Sequence, residues 1–142
     1  MSLNPYLFFN GQCEEAFKFY ERVFGGKLEA IHRYAGSPMA NQLPPEWGNK
    51  VMHATLNLGG GMILMGSDAA PGRYNQAPQG FFVSMGVKEV AETERIFNEL
   101  AENGRVEMPV QQTFWSQRFG MLVDQFGIPW MLNCEQAAAL SA

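Results

Sequence analysis

The sequence contains an internal repeat: one series of element signals is read along the chain and then read again. Pro5–Asn10 (PYLFFN) reads as a short buried strand. A helix follows from Gln12 to Gly25, with Cys13, Ala16, Phe17, Tyr20, Val23 and Phe24 at the i, i+3, i+4, i+7 spacing of one face. Glu14, Glu15, Lys18, Glu21 and Arg22 take the other face, and Gly25-Gly26 stops it. Lys27–Tyr34 reads as a strand and Gly36–Asn49, with Pro38, Pro44 and Pro45, as a long loop. Lys50–Leu58 and Met62–Ser67 are two more strands, joined by Gly59-Gly60-Gly61.

The series then restarts. Gly80–Val87 (GFFVSMGV) is a strand, and Val90–Asn103 a helix with Val90, Ile96, Phe97, Leu100 and Ala101 turned inward and Gly104 as its stop. Arg105–Met108 opens another strand. QTFWSQ crosses to a final hairpin, Phe119–Asp124 and Ile128–Cys134. Lys27-Leu28-Glu29 matches Arg105-Val106-Glu107, and Met65 matches Met131 in the closing strands. The expected organisation is one α+β domain of two βαβββ units: 1–67, a Gly/Pro/Ala/Asn-rich linker 68–79, 80–136, and a tail 137–142. Each unit is a sheet with one face covered by a helix. Two such sheets can curl around a central cavity that favours a small ligand.

The chain has 142 residues, enough for one domain, and 46% are hydrophobic, which provides a core and argues against disorder. The formal charge of −4 has no clustered basic face, so nucleic acid is not an expected partner. No apolar run approaches the roughly 20 residues that span a bilayer. No basic, apolar leader is seen either, and the expectation is a cytoplasmic protein without a membrane partner. Cys13 and Cys134 need no disulfide in a reducing compartment.

The stretches PYLFFNGQCEEAFKFY, MHATLNLGGGMILMGSD and MPVQQTFWSQRFGMLVDQFGIPWMLN resemble the PhnB-like branch of the vicinal-oxygen-chelate superfamily. That superfamily includes glyoxalase I, bleomycin-resistance proteins and extradiol dioxygenases, and proteins of this branch often carry the label 3-demethylubiquinone methyltransferase-like. The resemblance spans nearly the whole chain. It implies a divalent metal held by one residue of the first strand and one of the last strand of each unit. Those positions fall here on Pro5, Met65, Phe81 or Phe82, and Met131. Metals of this kind take imidazole, carboxylate or other oxygen donors, which these four side chains lack. The expectation is a metal-free cavity. No Gly-rich strand-to-helix turn suits a nucleotide-like cofactor, so none is expected.

Alternation in MHATLNL puts Met52, Ala54, Leu56 and Leu58 on one face and His53, Thr55 and Asn57 on the other. His53 is then either a structural hydrogen-bonding histidine or a ligand-binding or acid–base group. His32 has no patterned carboxylate beside it to complete a metal site. The candidate ligand-binding set is His53, Thr55 and Gln112 as polar contacts, with Phe82, Met65, Met131 and Trp115 as walls; Phe114 and Trp115 also suit core or dimer packing. Asp124 reads as a hairpin-turn residue and Asp68 as opening the linker turn. No catalytic residue is assigned. The favoured function is binding of a small apolar or aromatic molecule. The rivals are a lyase, isomerase or dioxygenase-like enzyme using a displaced metal or His53 as base, and an interaction protein whose sheet face a partner buries. A homodimer is expected: each unit leaves a sheet edge, 11 Phe, 9 Met and 3 Trp exceed what two short helices cover, and paired subunits are usual in the superfamily.

Overall fold

The computed structural model describes residues 1–135, so residue 136 and the tail expected over 137–142 lie outside the described part. The chain divides into two compact units, Met1–Gln76 and a second beginning at Ala77. Each carries the same element series, so the repeat read from the sequence is a repeat of structure, and the chain is α+β.

In the first unit the elements are β1 (Tyr6–Phe9), α1 (Cys13–Phe24), β2 (Lys27–Arg33), β3 (Val51–Gly59) and β4 (Met62–Asp68). The sheet order is β1-β4-β3-β2, with β1 parallel to β4 and the other pairs antiparallel. Period-two alternation in the strands and the 3.6-residue period of α1 meet in one core. Leu7, Phe9, Ala54, Leu56 and Leu64 are buried with Ala16, Phe17, Tyr20 and Val23 of the helix. Phe9 and Phe17 meet edge to face at 6.0 Å. Burying side chains of this size contributes about 1.5–3 kcal/mol each.

The start of α1 depends on a residue from another element. Gln12, the N-cap, makes no side-chain capping bond. Asp68 supplies it instead: Oδ1 accepts the Cys13 N–H at 2.9 Å and Oδ2 the Val51 N–H at 2.8 Å. Tyr34 donates its hydroxyl to the Asp68 carbonyl at 2.8 Å. Asp68 is therefore the last residue of β4 and 1% exposed, rather than the opening of a linker turn. A helix start leaves backbone donors without partners, and an anion there satisfies them.

The second unit holds β5 (Val83–Val87), α2 (Val90–Ala101), β6 (Arg105–Gln111), β7 (Arg118–Val123) and β8 (Pro129–Cys134), in the order β5-β8-β7-β6 with β5 parallel to β8. β5 is shorter than the expected Gly80–Val87. Its ladder to β8 begins at Val83 opposite Trp130, which leaves Gly80, Phe81 and Phe82 ahead of the strand. On α2, Ile96, Phe97 and Leu100 are buried as expected, but Val90 and Ala101 are only half-buried. Thr93 is buried, its hydroxyl donating to the Glu89 carbonyl at 2.8 Å. The left-handed residue after α2 is Asn103 (φ 60°), not Gly104. Gly104 is needed for a different reason, because a Cβ there would run into the Val123 carbonyl oxygen.

Asp124 closes the β7–β8 hairpin from inside. Oδ1 accepts the N–H groups of Phe126 (2.8 Å) and Ile128 (3.0 Å), and Oδ2 accepts the Trp130 indole N–H at 2.8 Å. The 36–49 loop contains two short 3-10 turns, Ala40–Gln42 and Pro45–Asn49. Among the described residues, no helix is long and apolar enough to cross a membrane.

Candidate functional site

In the first unit, the sheet face away from α1 carries the polar residues expected there, plus one that sequence reasoning missed. Thr55 stands opposite both Met65 and Ala30, His53 opposite His32, and Tyr6 beside Met65. His53 is held at both ring nitrogens. Nδ1 lies 3.0 Å from the Tyr6 hydroxyl and Nε2 3.0 Å from the Thr55 hydroxyl. The Tyr6 ring sits 5.5 Å from that of His53 and 5.3 Å from that of Phe8. His32 stacks on His53 at 6.3 Å and 24°. Tyr6 and Phe8 are 39% and 54% exposed, while His53, Thr55 and Met65 are half-buried. The alternation that buries Leu7 and Phe9 in PYLFFN turns Tyr6 and Phe8 the other way, so the signal for Tyr6 was present. The third candidate on β3, Asn57, is engaged locally, donating to Glu29 at 2.7 Å and accepting from the Gly59 N–H at 2.8 Å.

In the second unit, Met131 lies on β8 opposite Met121 and Ser84, half-buried on the face away from Trp130 and Leu132. Phe119 pairs with Asn133, whose side-chain oxygen is buried without a hydrogen-bond partner. Trp115 is 48% exposed and meets Phe119 edge-on at 5.4 Å and Phe114 at 4.7 Å. The turn carrying it is anchored by buried Ser116, whose hydroxyl lies 2.7 Å from the carbonyl oxygens of both Arg118 and Cys134 and donates its one proton to either. Gln112 is exposed just beyond β6, and Phe82 is half-buried just ahead of β5. Thus His53, Thr55 and Met65 come together in the first unit. In the second, Phe82, Gln112, Trp115 and Met131 lie on or beside the sheet.

The positions that the metal-binding pattern assigns do not fit a metal. Met65 donates its N–H to the Pro5 carbonyl at 3.2 Å, so the two inherited positions of the first unit are neighbours, one a proline and the other a thioether. Phe81 or Phe82, with Met131, gives the second unit no better donors. Among the described residues, no three His, Cys, Asp or Glu side chains are grouped to hold a metal ion.

Cys13 is buried at the start of α1. Burial, then the charges of Asp68 and Glu14, push its thiol far above the ordinary value, which leaves it in the unreactive protonated form. A hollow of about 230 Å³ lies under the 36–49 loop and a shallow one of about 370 Å³ beside the first turn of α1; neither is lined by a candidate residue.

Comparison with known proteins agrees with this architecture. The family described as the Glyoxalase/Bleomycin resistance protein/Dioxygenase superfamily matches residues 2–132. Protein YjdN of Escherichia coli (strain K12) is 36% identical over 145 residues, covering 94% of this chain and 95% of that one. A solved protein from Pseudomonas aeruginosa is 45% identical with a TM-score of 0.87, covering 96% of this chain and 99% of its own. The PhnB protein from Bacillus cereus, whose name proposes a 3-demethylubiquinone-9 3-methyltransferase, is 27% identical with a TM-score of 0.79, covering 94% and 99%. With the βαβββ repeat in both units and these matches along nearly its full length, the chain belongs to the glyoxalase/bleomycin resistance protein/dioxygenase superfamily, in its PhnB-like branch.

Proposed function

We propose that this protein binds a small apolar or aromatic molecule without a metal, using sheet faces that its helices leave uncovered. The carrying observation is the first unit's Tyr6–His53–Thr55 set, a hydrogen-bonded polar group with His32 beside it and Phe8, Met65 and Ala30 as its apolar neighbours. A few fixed polar groups amid apolar walls are the usual composition of a small-molecule site. In this reading the linked hydroxyls and imidazole of Tyr6, His53 and Thr55 orient the ligand as one group, and Met65 adapts to its shape. In the second unit Gln112 supplies a polar contact, with Phe82, Met131 and Trp115 as apolar surface. The proposed setting is the cytoplasm, supported by two free, buried cysteines, and the proposed assembly a homodimer.

A thermal-shift panel of neutral aromatics against charged metabolites tests the reading. A neutral aromatic at about 100 times its dissociation constant should stabilise the protein by about 2.7 kcal/mol, and Thr55→Val should weaken that effect. Melting shifts produced by charged metabolites alone would count against an apolar site.

A further inference from the structure

The two ring nitrogens of His53 are already occupied, so a ligand meeting this face meets a hydroxyl instead. We infer that Tyr6 is the ligand-contacting group, that His53 positions it and takes up its proton, and that the ligand class is one with an acidic hydroxyl, a phenol or an enol. The inference rests on the proposed binding of a small molecule at this face.

The chain Tyr6–His53–Thr55 has two proton orders. In one, Tyr6 O–H donates to Nδ1 and Nε2–H donates to Thr55, which leaves a lone pair on the Tyr6 oxygen. In the other, Thr55 O–H donates to Nε2 and Nδ1–H to Tyr6, which frees the Tyr6 proton. A ligand hydroxyl can donate in the first order and accept in the second. An ether or ketone serves only the second. Acidity selects further within hydroxyls. As a ligand proton moves to the Tyr6 oxygen, Tyr6's own proton moves to Nδ1. The result is a ligand oxyanion hydrogen-bonded to Tyr6 and a His53 imidazolium whose Nε2–H stays on Thr55, with atoms and charge conserved. Such transfer needs a ligand whose acidity comes near that of imidazolium, which phenols and enols approach and aliphatic alcohols do not.

The surroundings suit an aromatic ring. Phe8 lies 5.3 Å from Tyr6 between ring centroids, and Met65 pairs with Tyr6 on one side and Thr55 on the other. The titratable neighbour facing His53 is His32, stacked at 6.3 Å; Glu29 is hydrogen-bonded to Asn57 farther along the sheet.

Metal-free protein titrated with 4-nitrophenol, whose two protonation states absorb differently, tests this against 4-nitroanisole, its methyl ether. Bound nitrophenol should ionise about one pH unit below the free compound, and the ether should bind about tenfold more weakly. Tyr6→Phe should abolish the ionisation shift and equalise the two affinities. His53→Gln should still bind nitrophenol but without the shift, and circular dichroism should find both variants folded. Equal binding of the two compounds, an unshifted bound nitrophenol, or a shift surviving in Tyr6→Phe would overturn the inference and leave the binding reading standing. Binding of neither compound, by a protein that also responds to no other neutral aromatic, would overturn both.

Discussion

Cys13 and Asp68 meet at the start of α1, and their contact sets how the fold responds to alkali. Burial raises the folded thiol above its ordinary value of 9.0. Below that value both states hold the proton and the thiol contributes no pH dependence. Above it the unfolded chain loses the proton first, so the unfolded state binds fewer protons and stability falls as pH rises. Tyr34, raised from 10.0 by its own burial and then by the Asp68 charge, adds a later decline of the same sign. Urea midpoints measured from neutral pH upward should therefore fall beyond about pH 9, and Cys13→Ala should delay the fall toward the tyrosine range. Parallel curves for the two proteins would refute the assignment. At the β7–β8 hairpin, Asp124→Ala removes the acceptor of two backbone N–H groups and one indole N–H, and should cost about 3 kcal/mol in urea unfolding. A loss under about 1 kcal/mol would contradict its role as the hairpin's internal clamp. The turn role of Asp124 was legible because its backbone partners lie two and four residues ahead. The role of Asp68 was not, because its partners are 55 and 17 positions away in the chain. His53 was readable as a residue of the face away from the helix. Its engagement with Tyr6, 47 positions away, depends on β1 lying parallel to β4, a pairing that local periodicity does not specify.

At the scale of the element, the helices and central strands were the most legible parts, since an apolar stripe at 3.6 residues or an alternation at two is a direct record of a buried face. Element ends were less so, because they are decided by partners. β5 begins at Val83 since its ladder to β8 begins there, and Phe82 consequently sits before the strand. The end of α2 separates two requirements that the sequence merged into one glycine. Asn103 takes the left-handed conformation, while Gly104 gives the close approach to Val123. Asn103→Gly should thus leave stability unchanged or raise it by up to about 1 kcal/mol, whereas Gly104→Ala should lower it by more than about 1 kcal/mol. Thermal unfolding of the two variants checks this. Equal effects, or a harmless Gly104→Ala, would show that the Val123 contact does not constrain the turn.

For the molecule as a whole, the repeat carried most of the information. Lys27-Leu28-Glu29 against Arg105-Val106-Glu107, and Met65 against Met131, align elements that the structure forms twice in the same strand order. The lack of good metal donors at Pro5, Met65, Phe81 or Phe82, and Met131 is a property of those side chains themselves, wherever the fold places them. Exposed apolar residues bear on assembly: Phe8, Met62, Phe81, Phe114 and Trp115 are each at least 46% exposed. Trp47, in the 36–49 loop, keeps its indole nitrogen buried without a partner. The expected outcome is a homodimer. Light scattering at micromolar concentration should give about twice the 15.9 kDa of one chain, and a mass that stays at one chain on concentrating would defeat it.

Ligand binding by this protein is expected to need no metal. Calorimetric titration of a neutral aromatic that stabilises the protein, before and after exhaustive chelation with elemental analysis of both samples, tests it most directly. The expected result is the same affinity in both titrations, within about twofold, and no stoichiometric nickel, zinc, iron or manganese in either sample. Binding that disappears on chelation and returns with one of those metals would contradict it.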